Sequence, residues 1–389
     1  MKKIVLMAVF PLFIAVLFSC LQRTNLENKT ISPADIVKSE TPGKESRERK
    51  WEEAIIHARK ERKVTIYTGV APITRTEISR AFGNKHKDIE VEFVAGGGVE
   101  LSQKIISQRR AGLNLVDLYI SGTTTMINTL KPAGVFDPFD SVLILPQVYN
   151  PDVWWQRKLP YVDKDHTIFS FVATLGGEGN VAVNTEATKA QEIISYYDLL
   201  GPKFQEKIVL TDPTIAGKGQ RNTVFLALKS VLGWDYFREL MKQKPVITRN
   251  SRIQLEWIAQ KKFLVGIFPD EGIALEFRDA GVPIEVSGGL KEDVPYVVGS
   301  FGQISLMNMA PHPNAAKIFA NWLLDREGQE IWGRTTLAQS ARADVNADYM
   351  LQARKPVRQA NLSYHMLEDE EYLLKEPEFR KTLMEIFNK

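Results

Sequence analysis

From Trp51 onward, apolar residues repeat every three or four positions and then at nearly every position, the spacing of a helix that feeds a buried strand. Trp51, Ala54, Ile55 and Ala58 form the first helical stripe, and Val64-Thr65-Ile66-Tyr67 reads as the strand, ending at Thr68-Gly69. The unit recurs: a helix over 75–82, a strand over 89–94 before Gly96-Gly97-Gly98, a helix over 100–111, a strand over 116–120 before Ser121-Gly122, and a helix through Leu130. Strands alternating with helices across short glycine-bearing turns predict an α/β fold with a mostly parallel sheet and helices on both faces.

Five prolines between Pro132 and Pro160 break the rhythm, and the stretch, which carries Trp154-Trp155, is expected to be a long surface excursion. Strand-like runs return at 167–174, 180–183 and 207–210. A second β-α series follows: a glycine turn at 217–219, helices through Leu232 and over 234–241, a helix over 253–259, a strand over 263–268 and a helix over 270–278. A late strand over 297–307 and a helix over 313–322 are expected to rejoin the first sheet. The predicted division is 51–172 plus 300–389 for the first domain and 173–299 for the second, with two crossings acting as a hinge. Residues 345–389 are expected to wrap the first domain as a charged, helical tail.

The N-terminus follows a different pattern. Lys2 and Lys3 precede an apolar run over 4–18, then Ser19 and Cys20, the only cysteine in 389 residues. This is the layout of a secretory signal over 1–20 that ends in a lipid-attachment cysteine. The run is shorter than the ~20 apolar residues needed to cross ~30 Å of hydrocarbon. Residues 21–50 are polar and charged, and read as a flexible tether with a reach of roughly 30 Å. These features imply a membrane-anchored protein of the periplasm or cell surface.

Composition narrows the functional classes. The chain is 44% hydrophobic and 25% charged, and its 50 basic and 47 acidic residues nearly cancel to +3, without the clustered basic excess of a nucleic-acid binder. With Cys20 given to lipid, no disulfide pairs are available. His57, His86, His166, His312 and His365 are scattered, and no catalytic motif brings any of them to a nucleophile or a metal. His312, between Pro311 and Pro313, reads as a residue that starts a helix. Neither a catalytic residue nor a cofactor is implied.

Ala310-Pro311-His312-Pro313-Asn314-Ala315-Ala316-Lys317, with Trp322-Leu323-Leu324 and Glu327-Gly328-Gln329, resembles the late helical segment of ferric-iron-type extracellular solute-binding proteins. The segments 51–67, 117–121 and 208–217 fit the same family, so the resemblance spans about 51–343. It implies a two-lobed type II periplasmic-binding-protein fold, a cleft that closes by hinge motion, a small-molecule ligand, an ABC transporter permease as partner, and a monomer. The family's ferric members carry adjacent tyrosines after the second-lobe strand, where this chain has Phe268-Pro269-Asp270-Glu271; Tyr196-Tyr197 lies elsewhere and reads as packing. Iron binding in the same fold, and a ligand sensor feeding a histidine kinase, stand as alternatives.

Within such a fold the candidate contacts are the turns that end each strand, where helix N-termini present unpaired N–H groups. They are Thr68, Gly69, Gly97, Ser121, Gly122 and Thr123 in the first lobe, and Gly217, Arg221, Asp270 and Glu271 in the second. Plain helix capping is the other reading of each. Arg342 is added because relatives carry an arginine near the cleft at that point. Lys218 and Arg221 would favour an anion, Asp270 and Glu271 a cation; the balance leans to a small anionic organic solute, with no metal site.

Overall fold

The structure is a computed structural model that describes residues 42–176, 180–215, 217–287, 289–349, 364–367 and 369–387. The chain divides into two compact units, Met1–Glu45 and Ser46–Lys389. Cys20, the signal segment and the tether up to residue 41 lie outside the described residues. Residues 42–50, expected to belong to the tether, are instead the start of a helix, Pro42–Glu61. Arg47 is tied to the first lobe: its guanidinium sits 3.9 Å from the centre of the Tyr149 ring and donates to the Leu143 carbonyl at 3.0 Å.

The strands are β1 (Lys63–Thr68), β2 (Glu90–Ala95), β3 (Leu118–Ser121), β4 (Phe136–Asp137), β5 (Phe169–Ser170), β6 (Thr174–Gly176), β7 (Val181–Asn184), β8 (Ile208–Thr211), β9 (Val246–Thr248), β10 (Val265–Ile267), β11 (Ile284–Val286), β12 (Tyr296–Val298), β13 (Gln303–Met307) and β14 (His365–Met366). The first sheet has the order β2-β1-β3-β13-β4, with β5 also on β13, and only β13 runs against its neighbours. The second has the order β11-β7-β10-β8-β9, and only β7 is reversed. These are the two α/β lobes. Alternate residues of β1 enter different cores, Val64 and Ile66 with Phe82 and Phe319, Tyr67 with Leu101 and Ile105, as a sheet covered on both faces requires.

The reversed strands follow from the crossings. β13 begins beside the end of β3, with Gln303 opposite Ser121, and β7 begins beside the end of β10, with Val181 opposite Ile267. Both crossings therefore run between the carboxyl edges of the parallel strands. β6 and β12, one from each crossing, pair antiparallel and form the two-stranded hinge. Gly176 is required there, since a Cβ on it would fall 2.3 Å from the Tyr296 ring opposite. The late strand expected over 297–307 is thus two strands, parted by a turn in which Ser300 takes φ 48°.

Two further expectations are corrected. The proline-rich stretch is not a surface excursion: Phe139, Val142, Val148 and Trp154 are buried in the first lobe. Prolines deny it regular structure, but Asn321 satisfies its backbone, accepting from Ile144 and Leu145 N–H at 3.0 Å each and donating to the Val142 carbonyl at 2.6 Å. Nor does the tail wrap the first lobe alone. β14 pairs parallel with β12 of the hinge, and the helix Glu370–Phe387 sets Phe379 and Phe387 against Trp234 and Phe237 of the second lobe.

Candidate functional site

The first-lobe turns gather at one edge because β1, β2 and β3 are parallel neighbours. Thr68 is fully buried and its hydroxyl accepts from Val70 N–H at 3.3 Å, which shapes the turn. Gly69 is exposed and lies close to the Phe301 ring of the hinge turn; Gly122 faces the Ser300 carbonyl. Gly97 stands before the helix Gly98–Arg110, its N–H taken by Glu100 at 3.4 Å. Ser121 and Thr123 are buried beneath the rim, Thr123 opening the short helical turn Thr123–Thr125. Five of the predicted first-lobe residues therefore meet under the hinge turn 299–302, with Gly97 beside them.

The helix after β1, Pro72–Lys85, starts at Ala71 without a side-chain cap, which leaves the N–H groups of Ile73 and Thr74 in its first turn available. Arg75, on that turn, is half-buried, and its Nε is shielded from water with no hydrogen-bond partner. No carboxylate among the described residues pairs with it. Arg80 on the same helix shows the usual alternative, held by Glu77 three residues away at 2.6 Å. Arg75 escaped the sequence reading, although one signal was present: Ala71, Pro72, Ile78 and Ser79, its neighbours one helical turn away, include no acid.

In the second lobe, Gly217 precedes the helix Lys218–Lys229, which packs hard against the end of β8. A Cβ on Gly219 would lie 2.6 Å from the Thr211 carbonyl oxygen and 2.7 Å from that of Asp212. Gly219→Ala is expected to push the helix start off the strand and cost about 1–3 kcal/mol, measured as a lower urea midpoint. Asp212 fixes the intervening turn. Burial works against its charge, but Thr214 at 2.6 Å and Arg249 at 2.8 Å hold its carboxyl below the usual range. Phe268, at the end of β10, is fully buried at φ 56°, a costly conformation for a bulky residue, stabilised by bonds to Asn180 and Thr211.

The charged candidates are largely spoken for. Asp270 caps its own helix, Glu271–Asp279, by accepting from Ile273 N–H at 3.0 Å. Glu271 pairs with Lys218 at 2.7 Å, and Lys218 also donates to the Pro269 carbonyl at 2.6 Å. Arg342 does not lie at the cleft. It is 2% exposed in the first lobe, where it binds Asp344 and the carbonyls of Gln147 and Leu324 beside Trp154. The apolar wall around it demands that its donors be filled locally.

A buried polar chain joins hinge to second lobe. Tyr296 of β12 donates to Asn222 at 3.1 Å, Asn222 to Asn180 at 2.9 Å, and Asn180 and Tyr196 both donate to Asp293 at 2.8 Å. Burial pushes the Tyr296 hydroxyl up to about 12, with Glu271 raising and Arg221 lowering it, so both charges lie near the hinge strand. Burial also raises the Asp293 carboxyl, against its hydrogen bonds. Tyr196, expected to be packing alone, is a member of this chain. The partners are distant in sequence, and no local spacing announces them.

Two α/β lobes, a paired two-strand hinge and helix starts at the strand ends of each lobe define a two-lobed binding protein. Residues 63–335 match the family model for bacterial extracellular solute-binding proteins, and the chain belongs to that family. An uncharacterised protein of Haemophilus influenzae is 23% identical over 280 residues, 69% of this chain and 75% of the relative. Among solved structures, Trichodesmium IdiA (FutA) in complex with iron and citrate superposes with a TM-score of 0.58 at 15% identity, over 84% of this chain and 100% of that one. The periplasmic binding protein AfuA of Actinobacillus pleuropneumoniae, with fructose-6-phosphate bound, gives 0.51 at 19% identity over 84% and 98%.

Proposed function

We propose that the protein is the non-enzymatic capture component of an ABC importer, moored by lipid on Cys20, which closes its lobes over a small anionic organic solute and passes it unchanged to a permease. Arg75 carries the reading: a guanidinium without an acidic partner, on the first turn of an uncapped helix at the carboxyl edge of β1. Charge-assisted bonds to a carboxylate or phosphate would satisfy both. Thr68, Gly69, Gly97, Ser121, Gly122 and Thr123 would line the first-lobe wall, Gly217 and Arg221 the second. A cation finds less support, since Asp270 is used as a cap and Glu271 in an ion pair. Ferric ion prefers hard anionic ligands, and where the family's ferric members carry adjacent tyrosines this chain has Phe268 and Pro269. The known ligands of the structural relatives, iron with citrate and a sugar phosphate, mark the range to search.

A thermal-shift panel of sugar phosphates, phosphonates, citrate, neutral polyols and ferric salts tests this. One anionic class at a hundredfold excess over its Kd should add about 2.7 kcal/mol of stability, a shift of several degrees. Stabilisation by ferric ion without an organic anion, or by a neutral polyol, would refute the anionic reading.

A further inference from the structure

Beyond the family match, which ends at 335, the chain carries a segment that touches the first lobe, the hinge and the second lobe. Its strand β14 extends the hinge ribbon through β12. In the helix Glu370–Phe387, the first residue reaches the first lobe. Glu370 accepts from Lys131 Nζ at 2.7 Å and from Lys164 N–H at 3.1 Å. Lys131 is held on its own lobe by Asp163 at 2.6 Å and Asp165 at 2.9 Å, so Glu370 is the strap's contribution to this four-membered cluster. Asp163 is itself anchored by Thr167 and Ile168 N–H groups.

The helix also packs along Met126–Leu130 of the first lobe, and Tyr364, just before β14, lies 4.7 Å from Trp155 of that lobe, ring centre to ring centre, while the later turns meet the second lobe. Phe379 lies 6.4 Å from Trp234 and Phe387 6.2 Å from Phe237, ring centre to ring centre. Phe225 and Leu228 of the helix Lys218–Lys229 line a cavity of about 160 Å³ together with Tyr372 and Phe379.

We propose that the segment from β14 to Phe387 is a strap that clamps both lobes, and that the Glu370–Lys131 pair is its ionic latch on the first, so that opening the hinge requires release of this pair. The latch sets the ligand-free balance between open and closed forms and acts whatever the solute is.

The test is energy transfer in the full-length, ligand-free protein, with azido-amino acids for dye attachment at Ile56 of the first lobe and Val231 of the second, which are 54% and 80% exposed. Glu370→Ala should raise the open-to-closed ratio roughly three- to tenfold, with Glu370→Gln intermediate. Lys375→Ala, which breaks only the exposed pair with Glu371 on the same helix, should leave the ratio unchanged. Hydrogen exchange should show residues 372–387 still protected in Glu370→Ala. An unchanged ratio in Glu370→Ala, an equal change in Lys375→Ala, or loss of protection along the whole helix would overturn the proposal.

Discussion

Arg75→Ala is expected to weaken binding of the anion that stabilises the protein by between about 10- and 100-fold, the worth of a charge-assisted hydrogen bond in a partly dry site. The same variant should leave the ligand-free melting temperature unchanged or slightly higher. A buried Nε without a partner contributes nothing to folding and carries a desolvation cost, so its removal relieves the apo protein. Lost affinity without lost stability separates a binding residue from a structural one. Arg75→Lys should recover part of the affinity, since it restores the charge without the planar fork. Titration calorimetry on the three proteins measures the contrast; equal affinities would remove Arg75 from the site.

Asp117→Ala should be the most damaging polar substitution outside the cleft, costing about 3–5 kcal/mol. The Asp117 side chain has no exposed surface and accepts three bonds, from Thr65 N–H at 2.7 Å, His312 N–H at 2.6 Å and His312 Nδ1 at 2.9 Å. Burial pushes its carboxyl above the usual range, and the three donors oppose the shift. Alanine would strand those donors where β1, β3 and the helix Pro313–Leu324 meet. His312→Ala removes the ring and one bond but keeps the backbone donor, so about 1 kcal/mol is expected. Since Asp117 precedes β3, at the sheet edge away from the cleft, solute affinity of the folded Asp117→Ala protein should be unchanged. Urea unfolding followed by calorimetry tests both halves; a loss below 1 kcal/mol would show that the cluster is not a keystone of this lobe.

Local signals were legible where chemistry is local. The β-α rhythm through Leu130, the helix start at His312, and the cap at Asp270 followed from spacing and residue type, because a turn or cap is decided within four residues. The proline-rich stretch misled because proline excludes regular structure without excluding burial, and Asn321, more than 170 positions away, supplies the bonds that allow it. Arg342 misled for the same reason: a distant carbonyl and a tryptophan face decide whether an arginine faces solvent, a ligand or the core.

By itself the sequence determined two α/β series, the turns that end their strands, and the helix starts those turns create, all set by hydrophobic period and glycine placement. Only the tertiary structure decided that β6 and β12 pair as the hinge, that Arg342 is filled by buried partners while Arg75 has no acidic partner among the described residues, and that the tail bridges both lobes. Those outcomes depend on which distant groups satisfy one another's charge and hydrogen bonds once water is excluded.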